Sequence, residues 1–99
     1  MDEAEIKEVM EKIKAAYWNR QLIDADLIEA VRSLEMIAFL FEQLGNEDHQ
    51  VRTQAGFALA EIVGEQAKPA LIDALSSKEW LVRAEAAETL GQYGDFQLT

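Results

Sequence analysis

Three groups of residues have the types and spacing that chemistry needs: arginines that follow acids, close carboxylate pairs, and a lone histidine. Asp48 with Arg52, and Glu79 with Arg83, each place an acid four residues before an arginine. Such arginines are able to clamp a carboxylate or phosphate, but the same spacing supports a helix start, and repeated copies can bridge neighbouring loops. The structural role is the expected one. Asp24 with Asp26, and Glu85 with Glu88, have the makings of a hard-cation site or an acid–base pair. Neither has the glycine-containing loop of a calcium site or a partner nucleophile, so both are expected on charged helix faces. His49 is the only histidine and there is no cysteine, which leaves a zinc site without enough ligands. No glycine-rich phosphate loop or nucleophile elbow occurs, and Ser33, Ser76 and Ser77 suit caps and turns. The chain is expected to be no enzyme, with no catalytic residues, no cofactor and no metal.

The elements that position these residues read as helices throughout. Ile6, Val9, Met10, Ile13 and Tyr17 share one helical face in the first segment, with Asp2 and Glu5 at the start in a capping arrangement. From Asp24 to Leu44 there is neither Gly nor Pro, and the second half is apolar nearly all round, so it should be buried. Ser33 leaves open whether this stretch is one helix or two. Gly45 to Asp48 make a stop and a restart.

Val51, Arg52, Ala55 and Leu59 recur 31 residues later (82 minus 51) as Val82, Arg83, Ala86 and Leu90. That period marks a stacked supersecondary unit: a helix, a turn at Gly64, a second helix entered through Pro69, and a loop at Ser76 to Lys78. The same step backwards carries Leu71 and Leu75 onto Leu40 and Leu44. One domain follows, with an N-terminal helix at 1–19, a degenerate repeat at 20–46, a repeat at 47–77 and a partial repeat at 78–99.

The residues Val51-Arg52-x-x-Ala55-x-x-Ala58-Leu59, Ala67-x-Pro69-x-Leu71-x-x-Ala74-Leu75 and Val82-Arg83-x-x-Ala86-Ala87-x-x-Leu90-Gly91-x-x-Gly94-Asp95 resemble the HEAT-like repeat of the type found in phycobilin lyases. The resemblance is good over 48–95, poor over 20–45 and does not extend to the first helix. It implies an all-α fold, a short α-solenoid of stacked antiparallel helix pairs whose second helices line a concave surface. It also implies protein binding more often than catalysis.

Composition bounds the partner. In 99 residues, 19 acids against 9 basic side chains give a net charge of -10, which repels phosphate backbones and argues against nucleic acid. The longest wholly apolar run, Met36 to Phe41, is too short for a membrane span, and a cytoplasmic location is expected. The expected role is a protein-interaction or scaffold module for a partner with a basic surface. The alternatives are a subunit of a phycobilin lyase or isomerase system, and an engineered or truncated repeat protein without a partner. The expected contact residues are Met36, Phe39 and Gln43, their counterparts Ala70, Asp73 and Ser77, and Trp80 in the loop between units. Folding of the first helix over Met36 and Phe39 would instead make those two core. Leu90, Tyr93, Phe96 and Leu98, left without a following helix, are expected to find cover in a tail lid or a twofold dimer, with the dimer preferred.

Overall fold

The computed structural model describes residues 2–93, which form helices and, among the described residues, no strand. Helix α1 (Glu3–Trp18) begins at Asp2, whose carboxylate accepts the Glu5 N–H at 2.8 Å. Helix α2 (Ala25–Val31) is capped in the same way by Asp24, which accepts from Leu27 at 2.8 Å. Ser33 ends the ambiguity of the long apolar stretch. Its extended backbone breaks the helix, and its hydroxyl accepts from Met36 N–H while donating to the Ala30 carbonyl. One small residue thereby closes α2 and starts α3 (Leu34–Gln43).

Helix α4 (His49–Phe57) runs on through a π-helical stretch (Ala58–Val63) and a 3-10 turn (Gly64–Ala67) into α5 (Lys68–Ala74). The chain reverses at Gly64, whose φ of 81° favours a residue without a side chain. The carbonyls loosened at this break find partners from both neighbouring units. Arg32 Nε donates to Ile62 O at 3.1 Å from one side, and the Tyr93 hydroxyl donates to Gly64 O at 2.9 Å from the other. Lys68 lies 5.3 Å over the Tyr93 ring, which holds that side chain against the turn.

Helix α6 (Trp80–Gly91) packs on α4 and α5, α3 packs on α4, and α2 packs on the π-helical stretch. This is the expected repeat stack, with α4 and α6 as successive first helices and α3 and α5 as second helices. Helix α1 lies across it, against α2 and α4. Ile13, Val31, Met36, Leu40, Leu44, Leu59, Leu71 and Leu90 are fully buried in one core. Helices α4 and α6 approach closely at Gly56, where an added Cβ would collide with the Thr89 hydroxyl.

Candidate functional site

The repeated arginines serve the stack, although not through the expected i,i+4 pairs. Among the described residues neither Asp48–Arg52 nor Glu79–Arg83 forms an ion pair. Asp48 is spent capping α4, accepting the Gln50 N–H at 2.9 Å. Arg52 Nη1 turns back to the carbonyls of Asn46 (2.7 Å) and Glu47 (3.0 Å), and Arg83 Nη1 makes the matching bond to Ser77 O at 2.6 Å. Each arginine therefore ties down the loop before its own helix. Arg52 also crosses to the next unit, where its Nε is 3.7 Å from Glu85 Oε1.

Glu85 corrects the expectation of a charged outer face, because only 5% of it is exposed. Its carboxyl is pushed up to about 7, first by burial and then by the charge of Glu88 and a hydrogen bond with it, while Arg52 pulls the other way. Its approach to Arg52 places Glu85 in the packing of α6 on α4, while Glu88 is exposed. His49 is exposed, with Arg52 and Thr53 near its ring nitrogens. Among the described residues no group of His, Cys, Asp or Glu is arranged to hold a metal ion.

A groove of about 810 Å³ opens between α1 and the α3–α4 pair. Its apolar lining is Ile6 and Met10 from α1, Phe39 from α3 and Val51 from α4. Polar groups border it on both sides. Along α1 these are Glu3, Lys7, Glu11 and Lys14; along the other wall stand Asp48 and the carboxamides of Gln43, Asn46, Gln50 and Gln54. The groove runs from Glu3 to Lys14, about 16 Å at the helical rise.

The expected contact residues divide. Phe39 and Gln43 line the groove, half-buried, so α1 shelters Phe39 without covering it. Met36, in the first turn of α3, is fully buried and belongs to the core. Ala70, Asp73 and Trp80 are exposed, with Trp80 at 67%, and Ser77 is half-buried; none of them lines the groove. Of the self-association residues, Leu90 requires correction. Leu90 is fully buried within its own chain against the preceding unit. Tyr93 is half-buried with its hydroxyl bonded to Gly64 O, and its phenol is pushed up to about 12 by burial and by the charges of Glu65 and Glu61. Phe96 and Leu98 lie outside the described residues.

Sequence reasoning passed over Ile6, Met10, Val51 and Gln54 as a surface. A signal was available in the repeat: Gln54 and Glu85 occupy the same register (85 minus 54 is 31), and both are polar side chains buried on the inner part of a first helix.

The model of the HEAT repeats family matches residues 37–98. This chain belongs to the HEAT repeat family. The match is to HEAT repeats as such and not to a phycobilin-lyase type, and it leaves α1 and α2 outside. Among the curated proteins and the solved structures compared with the chain, nothing matches. No helix among the described residues is long and apolar enough to cross a membrane.

Proposed function

We propose that this HEAT repeat chain is a non-catalytic module that holds another protein in the groove between α1 and the α3–α4 pair. The observation that supports this reading most is the apolar floor of Ile6, Met10, Phe39 and Val51, which the chain's own helices cover only in part and polar groups rim. A hydrophobic floor with a polar rim is the make-up of a protein-binding surface, since burying the floor supplies affinity and the rim supplies selectivity. The net charge of -10 favours a partner with a basic surface and speeds its encounter. A photo-activatable side chain placed at Gln50 or Lys7 tests this reading in cell extract. Cross-linking to a discrete protein from those positions, and not from Glu88 on α6, is the expected result; equal capture from all three positions would contradict it.

A further inference from the structure

Gln54 is 6% exposed and lines the groove, and its side-chain carboxamide makes no hydrogen bond to any described residue. A carboxamide with little access to water and no partner in its own chain keeps donor and acceptor capacity that a ligand can use. Its oxygen and nitrogen are not sealed in, in contrast to the hydroxyl of Thr89. Gln54 borders the groove, so that capacity is available there.

A carboxamide offers a donor and an acceptor side by side. The complementary surface is a peptide group whose own N–H and C=O are unused, and an extended chain presents a regular series of those, whereas a helix interior has consumed them. Gln50 lies one turn before Gln54 on α4 and borders the same groove. Residues four apart on a helix are separated by about 6 Å along its axis, and alternate residues of an extended strand by about 6.6 Å, so the two carboxamides match every second peptide group. Side chains alternating between those groups would point one way to Met10, Phe39 and Val51, and the other way to the rim.

We infer that the groove receives an extended segment of a partner polypeptide, about five residues long, paired through its backbone to Gln54 and Gln50, with apolar side chains on the floor and Lys or Arg toward the rim. The length follows from the ~16 Å of groove along α1 at ~3.3 Å per extended residue. The basic preference follows from the charge, since Glu3, Glu11 and Asp48 outnumber Lys7 and Lys14 at the rim of a chain that is strongly acidic overall. This inference rests on the reading of the chain as a protein-binding module.

The probe is a library of random twelve-residue peptides displayed on phage and selected on the full chain. Selected peptides are then synthesised and titrated by fluorescence anisotropy against the parent, Gln54→Leu and Gln50→Ala, with Glu88→Gln as a remote control. The expected binders carry Lys or Arg and place apolar residues at alternate positions. Each carboxamide removed weakens them by about three- to tenfold, while Glu88→Gln leaves binding unchanged. N-methylation of one central peptide bond causes a similar loss in the parent but none further in Gln54→Leu. Gln54→Leu gives the groove an apolar side chain of similar size and Gln50 is exposed, so both variants are expected to fold, as melting curves would verify. Peptides that bind both variants as tightly as the parent would overturn the groove assignment and leave the module reading standing. Binding that tracks helix formation in the peptide would overturn the extended geometry. A selection that yields no binder would count against both.

Discussion

Arg52 on α4 reaches Glu85 on α6, Nε to Oε1 at 3.7 Å, while its Nη1 holds the carbonyls of Asn46 and Glu47. The same guanidinium thus anchors its own loop and meets the buried acid of the next unit. It does not fully compensate that acid. Burial, followed by the charge and hydrogen bond of Glu88, raises the Glu85 carboxyl from 4.5 to about 7.

The pH dependence of stability follows from that shift. The folded state holds the Glu85 proton more tightly than the unfolded chain, so the associated stability is fully present below about pH 4.5 and is lost as the pH rises through about 7. The full effect amounts to about 3 kcal/mol, since one unit of pKa is worth about 1.4 kcal/mol. Glu85→Gln, which installs the residue type found at the equivalent position 54, should melt higher than the parent at pH 8 and show a flatter profile between pH 5 and 8. Repulsion within a chain of net charge -10 acts in the same direction but is nearly common to both proteins. Thermal melts of the two at several pH values separate the effects, and parallel profiles would refute the assignment to Glu85.

Gly56 and Thr89 make the α4–α6 contact a test of close packing. Gly56→Ala gains about 1 kcal/mol of helix propensity but forces a methyl group onto the Thr89 hydroxyl, and overpacking costs about 1–3 kcal/mol. The net expectation is a modest loss of stability. With Thr89→Ala in the background, the nearest remaining atom to the new methyl is the residue-89 Cβ at 3.6 Å, an ordinary contact. Gly56→Ala should then become stabilising. A double-mutant cycle by urea unfolding measures the coupling, and additive effects would show that the helices move apart freely.

Tyr93→Phe removes the hydroxyl donated to Gly64 O and leaves the ring beneath Lys68. The expected cost is about 1 kcal/mol, the net worth of one hydrogen bond, because the ring packing is retained. Urea unfolding checks this value. Tyr93→Ala should cost clearly more, and equal losses would show that the hydroxyl carries the whole effect.

Leu71 and Leu40 are fully buried at equivalent positions of successive second helices. Truncation of either to Ala should cost roughly 2–5 kcal/mol, out of a total stability on the order of 5–15 kcal/mol for a domain of this kind. Comparable losses in the two variants, measured by chemical denaturation, would show that the degenerate first repeat bears load as the second does.

Much of this protein was legible along the chain. The helical period, the stops at Asn46 and Gly64, the entry at Pro69 and the 31-residue recurrence from Val51-Arg52 to Val82-Arg83 are local or periodic features, and they sufficed for an all-α repeat fold. Ser33 shows where such reading stops. Its hydroxyl had several uses open to it, and only the packing of α2 and α3 selected the cap.

The tertiary structure alone decided which polar residues are buried and what they face. Arg52 bonds loop carbonyls and a glutamate 33 positions on (85 minus 52), in place of the acid four residues before it. Gln54 and Glu85 share a register yet meet different surroundings, a groove under α1 in one case and Glu88 and Arg52 in the other. The path of α1, which lies outside the repeat, makes that difference, and no repeat pattern encodes it. Helix formation depends on neighbours within a turn or two, which a sequence displays directly. Burial and electrostatic environment depend on elements brought together from distant parts of the chain, and the fold has to place these before a carboxamide borders a groove or a carboxylate holds its proton more tightly.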